Sequence, residues 1–238
     1  MSQPLAPLQP LFVADLFPGL HRELIDLLRG LSEEDWDRPT VARRWRVRDI
    51  AAHLLDGDLR RLSLHRDRVR LAPPEPPVGG YDDLVRYLDH LNTVWVEAAQ
   101  RISPRLLVEL LEVTGPQISA FLASLDPFEP AIFPVAWAGE EASPNWFDVA
   151  REYTERWHHQ AQIRDAVGAP GLLSRRWLHP LLDASVRALP HAYRGVEAPE
   201  GAAVVLEVTG EAGEAGGMWT LLRRAAGGEL FQGEDAGA

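Results

Sequence analysis

Apolar residues recur at helical spacing, in separate stretches, through most of the first 170 residues, and this pattern constrains the fold most. Proline- and glycine-rich segments divide the stretches, because proline removes a backbone donor and glycine lowers helix stability. The pattern therefore predicts a mainly helical protein built as an antiparallel bundle of long helices. The predicted helices cover approximately residues 8–30, 47–70, 81–101, 103–125 and 145–167.

The pattern changes after Pro170. One more helix is predicted over residues 173–193, followed by two β-branched or alternating stretches at 202–209 and 218–224. The glycine-rich segment between these stretches predicts a turn, and therefore a β-hairpin. We expect two domains: a helical bundle over residues 1–170 and a small α/β extension over 171–238, consisting of a helix and a hairpin.

Two absent residue types exclude several kinds of chemistry. The chain has no cysteine, which excludes disulfides, cysteine-based zinc fingers, iron–sulfur clusters and a cysteine nucleophile. All 24 basic residues are arginine, which also excludes a lysine Schiff base and a P-loop lysine. If the protein uses a thiol, the sulfur must therefore come from a bound small molecule.

Charge and hydropathy indicate where the protein acts and what it binds. The net charge of −11 does not favour a nucleic-acid partner. No run of eighteen apolar residues predicts a membrane span, and the N-terminus has no basic region and carries Asp15 early. We expect a cytoplasmic protein, a monomer or homodimer, that binds neither nucleic acid nor membrane.

His53 is a candidate functional residue in the middle of the second predicted helix. It lies at the edge of the apolar stripe of that helix, and Gly57 follows one turn later. A glycine inside a helix lowers helix stability by roughly 1 kcal/mol relative to alanine. Its presence here therefore indicates that the structure needs the space that a side chain would fill. That space could admit a metal or ligand, or it could allow close helix packing around a hydrogen-bonded core histidine.

A second candidate cluster lies in the last helix of the predicted bundle. Glu155 and His159 are four residues apart, about 6 Å along the helix axis, and could chelate a divalent ion together. His158 is three residues from Glu155, so spacing alone leaves both histidines open. With His53 as the third ligand, the set would match a catalytic zinc site with one open position. The alternative is a solvated polar face, opposite an apolar stripe.

Charged residues around His53 suggest supporting roles. Asp49 and Asp56 lie one turn on either side of His53 and could orient its ring. Many arginines lie between residues 38 and 70, and a solvated charged face is their ordinary role. The functional alternative is contact with a carboxylate of a cofactor or substrate, for which Arg60 is the candidate. Trp45 is expected to be a core anchor.

Two segments resemble a known family. The stretch EEDWDRPTVARRWRVRDIAAHLLDGDLRRLSLHRD and the later EYTERWHHQAQIRDAVG are similar to the N-terminal domain of mycothiol-dependent maleylpyruvate isomerase, part of the DinB/YfiT-like superfamily. The resemblance implies a metal-binding four-helix bundle whose ligands here would be His53, Glu155 and His159. It therefore selects His159 over His158. It also implies a small C-terminal domain similar to sterol carrier proteins, which would be short in this chain.

The resemblance also implies a chemistry. A divalent ion, zinc or alternatively nickel, would hold a low-molecular-weight thiol such as mycothiol or bacillithiol as a thiolate. In the isomerase this thiol adds to an activated double bond, permits rotation and leaves. The implied function is therefore isomerisation or S-transfer on a small electrophilic substrate. The alternatives are a non-catalytic metal-binding stress or regulatory protein, and a helical interaction module in which the three residues never meet.

Overall fold

The structure is a computed structural model that describes residues 5–209 and 216–233. It is mainly helical and contains a small four-stranded antiparallel sheet. The helices are α1 (Phe17–Arg29), α2 (Val47–Arg60), α3 (Tyr81–Ala99), α4 (Pro104–Ala123), α5 (Asn145–Val167), α6 (Arg175–Val186) and α7 (Leu189–Ala192). The strands are β1 (Ala6–Pro7), β2 (Ala203–Val208), β3 (Gly217–Arg224) and β4 (Gly227–Gln232).

Local signals account for the helix ends that the sequence predicts well. The hydroxyl of Ser103 accepts a hydrogen bond from the backbone N–H of Leu106 (3.3 Å), which caps the N-terminus of α4. Pro104 follows in the first turn, where its missing N–H leaves no intrahelical bond unmade. The helix then continues through Pro116 to Ala123.

Three predicted helix boundaries are wrong. Helix α1 begins at Phe17 instead of near residue 8, with Pro18 in its first turn, where proline is favoured. Helix α2 ends at Arg60, and a π-helical segment continues to Arg66. The single helix predicted over 173–193 is divided into α6 and α7. In each case apolar residues at helical spacing extend past a helix boundary. The spacing alone therefore does not show where a regular helix begins or ends.

The two strands of the predicted hairpin are present as β2 and β3, which pair antiparallel with Val205 opposite Thr220. Most of the predicted glycine-rich turn between them, residues 210–215, lies outside the described residues. The sheet nevertheless has two further strands, and its order is β1-β4-β3-β2. Strand β4 follows β3 through a tight turn, and β1 pairs with β4 from the N-terminal end of the chain. The sheet is therefore larger than the expected hairpin, and its strand β1 comes from outside residues 171–238.

The chain divides into two compact units. One contains residues 14–125 and 156–171, and the other contains residues 1–13, 126–155 and 172–238. The division of the sequence into domains at about residue 170 stays a prediction. In the first unit, α2 packs against α3 and α4, and α1 packs against α4. Its core contains fully buried side chains such as Ile50, Leu55, Leu111 and Ile163.

The second unit holds the sheet together with α6 and α7. The indole of Trp219, on β3, is fully buried, and its Nε1–H donates to the carboxylate of Asp183 on α6 (3.1 Å). The hydroxyl of Thr220 donates to the carbonyl of Gly233 (2.6 Å). The first bond satisfies the indole N–H inside the contact between sheet and α6, and the second satisfies a fully buried hydroxyl within the sheet, where an unmade hydrogen bond would be costly.

Helix α4 is long and apolar enough to cross a membrane by length and composition alone. The core helix of a globular protein meets the same criterion, so the observation is weak. Leu107, Leu111, Ile118 and Leu122 of this helix are buried inside the protein. Packing in the core therefore accounts for the apolar composition of α4.

Candidate metal centre

Helix α2 carries His53 into the interior of the helical unit. Its relative exposure is 6%, and the apolar neighbours Ile50 and Leu54 on the same helix belong to the core. The imidazole lies against two other rings, with centroid distances of 4.8 Å to Trp45 and 4.6 Å to His159. The structure therefore places His53 beside the histidine that the family resemblance selects.

Glu155 and His159 lie one turn apart on the continuous helix α5. Ligand atoms from His53, Glu155 and His159 all lie within 4.8 Å of one another. In a tetrahedral zinc site with bonds of about 2.1 Å, ligand atoms are roughly 3.4 Å apart. Small side-chain rotations would therefore bring the three groups to bonding distance. That they hold a metal stays a prediction.

The surroundings of the three side chains differ in exposure. His53 is buried, His159 is half-buried and Glu155 is exposed. A site of two imidazoles and one carboxylate supplies nitrogen and oxygen donors, which suit zinc and other first-row ions. Three protein ligands leave a fourth position for an exchangeable group, and the exposed carboxylate places solvent at the edge of the cluster.

The structure distinguishes the two neighbouring histidines. His159 belongs to the cluster, whereas His158 is exposed and its ring contacts Trp157 at a centroid distance of 5.7 Å. Successive residues on a helix point about 100° apart, so only one of two adjacent histidines can face His53. The spacing along the helix left both histidines open. The geometry agrees with the family resemblance, which selects His159.

Two residues at the cluster were not recognised from the sequence as part of the site. Trp45 was expected to be a core anchor, and its ring does pack against the core, but it also lies against both imidazoles, 6.0 Å from His159. The Nδ1 atom of His159 is 2.9 Å from Oε1 of Gln162. The three-residue spacing of His159 and Gln162 on one helix is the signal that could have identified this pair.

The polar side of α5 is not a solvated face as a whole. Asp148 and Glu152 have relative exposures of 2% and 7%. The opposite stripe is buried as well at Ala150, Tyr153 and Trp157. Helix α5 is therefore buried on more than one side, which its amphipathic pattern did not predict.

The space beside Gly57 is open. A Cβ atom added there would meet no described atom within 4 Å outside its neighbours and its own helix backbone. Close packing against another helix therefore does not explain this glycine. The observation favours the other interpretation from the sequence, in which the missing side chain leaves room one turn from His53.

The charged residues near His53 have partners within the protein. Arg60 pairs with Asp56 (2.9 Å) and donates to the side-chain oxygen of Asn92 (3.1 Å). Burial raises the pKa of the Asp56 carboxyl, against the opposing effects of Arg60 and His53. Asp49 accepts from the backbone N–H of Arg46 (2.9 Å) at the start of α2. Contact of Arg60 with an anionic ligand stays a prediction.

Comparison with known proteins identifies the family. Residues 17–164, well over half of the chain, match the family model of the mycothiol maleylpyruvate isomerase N-terminal domain. The match includes Trp45, His53, Glu155 and His159. Searches of curated proteins and of solved structures gave no match. The chain therefore belongs to the mycothiol maleylpyruvate isomerase N-terminal domain family.

Proposed function

We propose that this protein is a metal-dependent enzyme that uses an exogenous thiol of the mycothiol type for isomerisation or S-transfer on a small electrophilic substrate. One observation carries the proposal: ligand atoms of His53, Glu155 and His159 lie within 4.8 Å of one another in a chain without cysteine. The name of the matching family supports mycothiol as the thiol. Zinc is the proposed ion, with nickel as an alternative that the same donors accept.

The donor set favours an anionic fourth ligand. A divalent ion held by two neutral imidazoles and one carboxylate would retain a net charge of about +1, because only Glu155 neutralises it. Such an ion, when bound, would lower the pKa of a coordinated thiol and stabilise its thiolate form. His53 and His159 would hold the ion through nitrogen, and the solvent-exposed side at Glu155 would admit the thiol.

The thiol chemistry needs no nucleophile from the protein. Addition of sulfur to an activated carbon–carbon double bond leaves a single bond, about which the substrate can rotate. Departure of the same sulfur restores the double bond in the other geometry, so the thiol is recovered unchanged. The chain's part is to position thiol and substrate, and the open space beside Gly57 supports a ligand volume close to His53.

Further features of the protein are proposed on the same basis. We infer that the helical part is an antiparallel four-helix bundle of the DinB-like type, as the family resemblance implies, and the packing of α1 and α2 against α4 supports this. We also propose that the protein acts in the cytoplasm as a monomer or homodimer. Its acidic charge supports small-molecule partners over nucleic acid.

Cobalt substitution tests the proposal directly. The cobalt-loaded protein is titrated with mycothiol, bacillithiol and glutathione, and the near-ultraviolet spectrum is recorded. Thiolate ligation should produce a sulfur-to-cobalt charge-transfer band, and His158→Ala should retain it because His158 lies outside the cluster. The variants His53→Ala and His159→Ala should lose the band while far-ultraviolet circular dichroism shows retained helix.

The alternative functions give different results in the same experiment. A protein that binds cobalt but shows neither a thiolate band nor turnover of electrophilic substrates is a non-catalytic metal-binding protein. A protein that binds no metal is a helical interaction module. Either result would overturn the proposed enzyme function.

A further inference from the structure

The hydrogen bond between His159 and Gln162 restricts which nitrogen of His159 can bind a ligand. Nδ1 of His159 lies 2.9 Å from Oε1 of Gln162. A side-chain amide oxygen only accepts hydrogen bonds, so this contact requires the proton to be on Nδ1. In a neutral imidazole the other nitrogen, Nε2, then carries the lone pair.

The position of Gln162 makes this contact local to α5. His159 and Gln162 are three residues apart on one helix, so their side chains are neighbours on the same face whatever happens elsewhere. Gln162 is half-buried and uncharged, so it can orient the ring without adding charge beside Glu155. The ring of His159 also contacts the rings of His53 and Trp45, which limit its orientation.

We propose that Gln162 is a positioning residue that fixes His159 as the Nδ1–H tautomer and so presents Nε2 to the metal. This inference rests on the proposed function, because it assigns a role to the metal ligand His159. A hydrogen bond from the remote nitrogen of a ligating histidine fixes its tautomer and orientation. Gln162 contributes no ligand atom and acts only through His159.

The test measures the tautomer in the metal-free protein, where it does not depend on metal binding. Long-range ¹H–¹⁵N correlation spectra at a pH above about 8, where an ordinary histidine is neutral, distinguish the two tautomers by their nitrogen shifts. The His159 signal is assigned by its loss in His159→Ala. Wild type and Gln162→Glu, which keeps an acceptor oxygen, should both show Nδ1–H.

Gln162→Met keeps the length of the side chain and removes the acceptor. The Nδ1–H form should no longer dominate in this variant, and zinc affinity should fall about 10- to 100-fold, the usual effect of removing such a partner. Gln162→Glu, which keeps the acceptor, should bind zinc at least as tightly as the wild type. Gln117→Met makes the same change at an exposed position of α4 and should leave both tautomer and affinity unchanged.

Two results would overturn the inference: an Nε2–H tautomer in the metal-free wild type, or an unchanged tautomer in Gln162→Met. Failure of the proposed function would differ from both. In that case the Nδ1–H tautomer would be present and depend on Gln162, yet the wild-type protein would bind no zinc.

Discussion

Replacing Asp58 by alanine should destabilise the protein far more than replacing an exposed acidic residue. Asp58 has 0% relative exposure, and its carboxylate pairs with the guanidinium of Arg156 at 2.6 Å. The hydroxyl of Thr114 donates to its other oxygen. Arg156 is also buried, so removal of Asp58 would leave its charge without this counter-ion inside the protein.

The magnitude follows from the burial of both partners. Removing one member of a buried ion pair costs about 3–5 kcal/mol, because that partner no longer offsets the desolvation of the remaining charge. At a urea dependence of about 2 kcal/mol per molar, a loss of 4 kcal/mol lowers the midpoint of unfolding by about 2 M. Urea titrations followed by circular dichroism would measure this shift.

An exposed ion pair provides the matched control. Arg105 and Glu109 are 2.8 Å apart on α4, with exposed side chains. Glu109→Ala should cost less than about 1 kcal/mol. The double variant Asp58→Leu/Arg156→Met removes both buried charges and should recover much of the stability lost in Asp58→Ala. A cost for Asp58→Ala no larger than that for Glu109→Ala would refute the reasoning.

Two further predictions concern pH and helix stability. Burial lowers the pKa of His21, against the opposing effects of Asp58 and Glu112, so the folded state binds fewer protons than the unfolded state. The stability that this residue contributes above about pH 6.5 should therefore fall on acidification by at most about 1.4 kcal/mol per pH unit. Urea titrations should show that His21→Leu loses less stability on acidification than wild type does. An equal loss in both proteins would contradict the assignment to His21. Gly57→Ala should raise the free energy of unfolding by roughly 0.5–1 kcal/mol, since the added methyl meets open space; a measured loss would contradict that.

The sequence predicted elements whose signals are local. Ser103 and Pro104 marked the start of α4, and apolar spacing located α3 and α5. The sequence did not predict β1, a two-residue strand that exists because it pairs with β4. Strand β4 begins with Gly227 and Gly228, which have low strand propensity, so pairing with β3 decides its structure.

The same distinction applies to the site. Glu155 and His159 could be paired from their spacing on one helix, and His53 could be proposed as the third ligand, but the choice of His159 over His158 needed the family resemblance. Trp45 lies before α2, and no local pattern indicates that its ring would contact both histidines. The burial of Asp148 and Glu152 likewise depends on what surrounds α5, which a single-helix pattern does not contain.

Zinc stoichiometry tests the central claim most directly. Metal-free wild-type protein is titrated with zinc, and bound metal is measured by native mass spectrometry beside His53→Ala, His159→Ala and the adjacent control His158→Ala. We predict one tightly bound zinc ion in wild type and in His158→Ala, and loss of that ion in the other two variants. Absence of bound zinc in wild type, or equal binding by all four proteins, would contradict a metal centre at His53, Glu155 and His159.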